Sequence, residues 1–205
     1  MMEGKKELTD ALEMLGELLE HRGLHYDLAI VGGAALLLHD IIFRPTLDMD
    51  VVALISEENR WHKARPFPED LVTAIRDVAE TLDLPRYPRD DKDWLNPGPS
   101  MLMQLGLPKG FEERTTEKRF KGLTLRIASR ADLICLKLWA ATDMARGNRR
   151  NVDIADLKTI GPTKNELAVA IAWCMQKDGR EDFITADAAA VINRLGFDVA
   201  DFDEE

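Results

Sequence analysis

Residues 31–54 read VGGAALLLHDIIFRPTLDMDVVAL, and they set an apolar strand around two carboxylates. From Leu47 to Ala53 the alternation puts Leu47, Met49, Val51 and Ala53 on one face and Asp48 and Asp50 on the other. Upstream, YDLAIV (26–31) reads as a short buried strand that stops at Gly32 and Gly33. AALLLHDII then reads as a helix, so the segment is strand, glycine turn, helix, strand.

Carboxylates at i and i+2 of a strand project side by side, with Cα atoms ~6.6 Å apart. Two such charges repel unless something positive lies between them. A hard divalent cation suits the pair, because Mg²⁺ takes one or two carboxylates together with phosphate and water. The plain alternative is an exposed strand face on which Asp48 and Asp50 meet water or Arg44. The glycine pair shifts the balance toward a ligand. Gly32 and Gly33 lack side chains, so the backbone there can approach a triphosphate closely, and free N–H groups at the start of a helix attract phosphate. A tight turn and nothing more is the other reading of the pair. Arg44 and Thr46 precede the acids and share their face if strand geometry runs through Pro45. That arrangement would line up a guanidinium, a hydroxyl and two metal ligands. The chain has no GxGxxG and no GxxxxGK[ST], which excludes the dinucleotide fingerprint and the P-loop.

Gly-Gly, a helix, then Arg-x-Thr-x-Asp-x-Asp resembles the nucleotidyltransferase-fold superfamily over residues 26–55. Within it, the segment is most similar to the abortive-infection, toxin-like nucleotidyltransferases and their uncharacterised relatives. The resemblance implies Mg²⁺ (or Mn²⁺) on Asp48 and Asp50, an NTP cradled by Gly32 and Gly33, and phosphate contacts from Arg44 and Thr46. It implies transfer of a nucleoside monophosphate to an acceptor hydroxyl on tRNA, a protein or a small molecule, with an antitoxin as a partner. It also implies a phosphate-contacting lysine on a later helix, which falls on Lys137 of ADLICLKLWAA, and a further acid at Asp153 or Asp156 of RRNVDIADL. Lys137 alternatively reads as a snorkelling stem, and Asp153 as a first-turn acid after an Asn151 cap. Many active members of the superfamily carry a third carboxylate on a later strand. The expected later strands, MLMQLGL (101–107) and LTLRIA (123–128), offer only Gln104 and Arg126. That gap favours a second reading, a catalytically lapsed fold serving as a binding or regulatory module.

The remaining sequence is that of an ordinary globular chain, 45% hydrophobic and 31% charged over 205 residues. Its net charge of −10 disfavours a broad nucleic-acid-gripping face. Local basic segments remain at Arg114, Lys118, Arg119, Lys121 and Arg126, and at Arg146, Arg149 and Arg150. Apolar runs fall short of the ~20 residues that span a bilayer, and no secretory leader is evident, so a cytoplasmic location is expected. Cys135 and Cys174 read as buried reduced thiols. His21 and His25 flank Gly23, where a helix should be ending, and no zinc pattern is present.

Periodicity predicts helices over 5–22, 68–83, 130–145, 151–160, 163–177 and 185–195, with 84–100 as a loop. The fold class expected is α+β. A small mixed sheet of the nucleotidyltransferase type would occupy residues 1–128 together with an N-terminal helix. A helical C-terminal part, 129–205, would pack on it.

Overall fold

The central element is β1 (Tyr26–Val31), whose Leu28, Ala29 and Ile30 are fully buried, as a strand covered on both faces requires. The computed structural model describes residues 4–46, 48–84, 94–180 and 182–202. It divides into one unit ending at Ser129 and another beginning at Arg130.

In the first unit, α1 (Lys5–His21) buries Leu8, Ala11, Leu12, Leu15 and Leu19 along one stripe, and Gly23, at φ +67°, turns the chain out of it. The chain continues through β1, α2 (Gly32–Leu38), β2 (Met49–Ile55), β3 (Trp61–Lys63), α3 (Glu69–Thr81) and β4 (Leu95–Asn96). A 3₁₀ turn (Gly98–Met101) leads to the short helices α4 (Leu102–Leu105) and α5 (Phe111–Arg114), and then to β5 (Thr116–Phe120) and β6 (Leu123–Ile127). The sheet is six-stranded, in the order β3-β2-β1-β6-β5. β1 pairs antiparallel with β2 and parallel with β6. The far edge of β2 is shared: its C-terminal half takes β3 antiparallel, and its N-terminal half takes β4 parallel. The expected α+β class with a small mixed sheet is what the chain adopts.

Two expectations of strand and loop fail, and one strand appears where none was expected, each for a physical reason. MLMQLGL forms no strand. It follows Pro97-Gly98-Pro99, which starts a 3₁₀ turn running into α4, and Met101 stands exposed. Residues 84–100 are not wholly loop. Residues 85–93 lie outside the described set, but Trp94 is fully buried and Leu95–Asn96 pair with β2. The charged stretch before β6 contains β5, an edge strand whose Glu117, Lys118 and Arg119 disguise it.

The second unit consists of α6 (Arg130–Thr142), α7 (Arg149–Ile160), α8 (Lys164–Asp178) and α9 (Ala189–Leu195), the last preceded by a π-helical turn over 184–188. α8 opens with a capping box in which Thr163 Oγ1 accepts from the Glu166 N–H and the Glu166 carboxylate accepts from the Thr163 N–H. Its core includes Leu133, Leu138, Leu157, Leu167, Phe183 and Ile192. Trp139 stacks on Phe183 at 6.5 Å and meets Trp173 edge-on at 6.1 Å. Cys135 and Cys174 are buried thiols, and burial pushes the Cys174 thiol pKa well up. Among the described residues, no helix is long and apolar enough to cross a membrane.

Candidate functional site

A bulge brings the glycine pair and the acid pair together. β1 and β2 pair as Asp27↔Ile55, Leu28↔Leu54 and Ala29↔Ala53, a register that carried onward would set Val31 opposite Val51. The register shifts between Ala29 and Ile30, so Val31 faces Asp50 instead. A one-residue shift in a strand of period two decides which side chain stands at the end of β1.

Gly32 follows at φ +75°, a left-handed conformation that side-chain-bearing residues rarely adopt. A Cβ placed on it would fall on Asp50 Oδ2, so the carboxylate lies directly against bare backbone. A Cβ on Gly33 would sit 3.3 Å from both Arg44 Nη2 and Thr46 Oγ1. The structure therefore gathers Gly32, Gly33, Arg44, Thr46 and Asp50 at one end of the central strands. Arg44 and Thr46 do not arrive by strand alternation, because β2 begins only at Met49. The buried Thr46 holds the turn by donating to the Asp48 carbonyl at 3.0 Å, and Arg44 donates to the Pro45 carbonyl at 3.0 Å.

Asp48 and Asp50, both half-buried, meet through a residue that sequence reading passed over. β4 sets Asn96 opposite Asp50. Its Nδ2 donates to Asp48 Oδ2 at 3.0 Å and to Asp50 Oδ1 at 3.3 Å, while its Oδ1 accepts from the Gly98 N–H at 2.9 Å. The available signal was Trp94-Leu95, an apolar pair inside a polar loop. Trp94 anchors it by donating from Nε1 to the Ile75 carbonyl at 3.1 Å, and its own carbonyl accepts from the Met49 N–H at 2.7 Å.

The donor set fits a hard divalent cation. Two aspartates converge on one amide, and carboxylate oxygens are the ligands hard divalent cations take. No group of three or more metal-ligating side chains of the His, Cys, Asp and Glu kind occurs among the described residues.

The later candidates form a second cluster within the helical unit. Lys137 Nζ lies 2.7 Å from Asp153 Oδ1 and 2.7 Å from Asp156 Oδ2, with side chains only 9%, 6% and 1% exposed. Lys137 thus does not snorkel to the surface. Its ammonium is buried and engaged with both acids. Arg146 Nη2 approaches Asp153 Oδ2 at 3.3 Å without hydrogen-bond geometry, leaving that oxygen buried and without a hydrogen bond. Asp153 is not in a first turn, because α7 starts at Arg149 with Asn148 at its cap, three residues earlier than an Asn151 cap requires.

The first basic segment is largely neutralised. Arg126 pairs with Asp27 and Glu117, Arg119 with Glu117, and Lys121 with Glu17. Gln104 is exposed on α4.

The central antiparallel pair of the sheet thus sets a glycine turn against Asp50, with Asp48 tied to Asp50 through Asn96. The chain belongs to the family described as "Nucleotidyltransferase of unknown function (DUF6036)", whose sequence profile matches residues 6–159. The match takes in both the aspartate pair and the Lys137 cluster. No curated protein and no solved structure matches the chain.

Proposed function

We propose that the chain transfers a nucleoside monophosphate from an NTP to an acceptor hydroxyl, using Mg²⁺ or Mn²⁺. The observation that carries this reading is the meeting of Gly32, Gly33, Arg44, Thr46 and Asp50 at one strand end, with Asp48 tied to Asp50 through Asn96.

The triphosphate lies along Gly32 and Gly33, where no Cβ bars close approach. Arg44, beside Gly33, meets phosphate oxygens with its planar guanidinium. Asp48 and Asp50 would hold the divalent cation, which would supply positive charge to offset that on the phosphate oxygens and the leaving group. The acceptor oxygen attacks the α-phosphorus in line, the bond to the β-phosphate oxygen breaks, and pyrophosphate leaves. The acceptor proton passes to solvent. The protein contributes positioning and electrostatics. Lys137 already meets two carboxylates, so its task here is to fix Asp153 and Asp156.

The test is pyrophosphate release from each NTP with tRNA, protein and small-molecule hydroxyl acceptors. Release by wild type that is lost in Asp48→Asn and Asp50→Asn supports transfer. A toxin-like role further predicts that producing wild type slows cell growth and producing Asp50→Asn does not.

One observation favours the lapsed reading. The strand beside β2 sets an amide, Asn96, against the acid pair, and an amide cannot take a proton from an acceptor. That reading predicts nucleotide binding with no pyrophosphate released in any acceptor mixture.

A further inference from the structure

Asn96 takes no part in the transfer as proposed, yet both ends of its amide are engaged. Because Oδ1 accepts from the Gly98 N–H at 2.9 Å, the amide can turn only one way, with Nδ2 toward the acids. Both of its hydrogens are then used, one on Asp48 Oδ2 at 3.0 Å and one on Asp50 Oδ1 at 3.3 Å. Gly98 makes room for this arrangement, since a Cβ there would stand 2.9 Å from Asn96 Oδ1. The two oxygens of Asp50 are thereby divided, Oδ1 tied to the amide and Oδ2 set against Gly32. Register fixes the rest: β4 pairs Asn96 with Asp50 across the edge of β2.

We propose that Asn96 is a positioning residue for the divalent cation. It orients both carboxylates before the ion arrives. Being neutral, it also adds no third negative charge to the two carboxylates, so that the cation enters with the nucleotide's phosphates and not ahead of them. This rests on the nucleotidyl-transfer reading of the same site. The physical basis is general: a hydrogen bond to the spare oxygen of a metal carboxylate fixes its rotamer, and losing such a partner costs about 10–100-fold in metal affinity. A neutral amide also leaves two acids repelling less than three would.

The experiment follows free Mn²⁺ by electron paramagnetic resonance, with and without a non-hydrolysable NTP analogue. It uses wild type, Asn96→Ala, Asn96→Asp and Asp50→Asn. Wild type is expected to retain Mn²⁺ with the analogue and far less without it. Asn96→Ala should need about 10–100-fold more Mn²⁺ for the same retention. Asn96→Asp keeps the acceptor for the Gly98 N–H but replaces the donor with a third carboxylate. It should therefore retain Mn²⁺ without any nucleotide, and its melting temperature should rise with Mn²⁺ more than that of wild type.

Unchanged Mn²⁺ dependence in Asn96→Ala, with retention lost in Asp50→Asn, overturns the role of Asn96 and leaves the transfer reading standing. No retention by folded wild type with any analogue overturns both. If Asn96→Ala does not fold, Asn96→Asp decides: nucleotide-independent retention supports the proposal, and its absence overturns it.

Discussion

Replacing Lys137 with methionine removes the one ammonium that separates two buried carboxylates, and the cost follows from the geometry. Nζ stands 2.7 Å from an oxygen of Asp153 and 2.7 Å from one of Asp156. At an effective dielectric near 20, each contact is worth about 6 kcal/mol before desolvation. Three ions taken out of water cost several kcal/mol apiece, so the intact cluster yields little net stability. Removing only the cation forfeits its attraction to both desolvated acids, while Arg146 Nη2 still stands 3.3 Å from Asp153 Oδ2. The expected loss is about 3–5 kcal/mol. Urea unfolding followed by fluorescence reports it, since Trp139 and Trp173 lie in the same helical unit. Lys137→Met combined with Asp153→Asn and Asp156→Asn should recover most of the loss, because the stranded charges go with the cation. A loss under about 1 kcal/mol in Lys137→Met would refute the reasoning, since an exposed ion pair costs that little to break.

Gly32→Ala should destabilise by at least about 1–2 kcal/mol, since it forces a side chain into left-handed backbone and onto Asp50 Oδ2. Gly33→Ala should cost less, because its Cβ meets only the ends of Arg44 and Thr46; paired urea curves decide. The Glu166 carboxyl is held below its ordinary 4.5 chiefly by the Thr163 N–H, with help from the Thr163 hydroxyl and Arg130. A depressed folded pKa gives stability that is present above the unfolded value and lost as pH falls through the folded one. Wild type should therefore exceed Glu166→Gln in melting temperature near neutral pH, and the gap should close on acidification below about pH 4.5.

Much of this architecture is legible in the sequence because burial leaves a period behind. The leucine stripe of α1, the buried run of β1 and the alternation of Met49, Val51 and Ala53 each declare one element. The candidate residues stood out for a related reason: glycines and carboxylates have little structural reason to interrupt apolar segments. What stayed hidden depends on register and partnership. No local pattern announces the bulge that sets Asp50, in place of Val51, opposite Val31. β4 pairs only two residues, Leu95 and Asn96, and its neighbours have loop composition, so the amide between the acids went unseen. β5 hid behind the charges that protect an edge. Lys137 was visible as a cation among apolar neighbours, but its commitment to Asp153 and Asp156 depends on how α6 and α7 pack.

The central claim is that Asp48 and Asp50 hold a cation together with a nucleotide. Calorimetric titration of ATP, GTP, CTP and UTP into wild type, Asp48→Asn and Asp50→Asn, with and without Mg²⁺, tests it most directly. At least one nucleotide should bind in a manner that requires Mg²⁺ and is lost in both variants. Binding indifferent to Mg²⁺ and to both substitutions, or no binding by a folded wild-type chain, would contradict it.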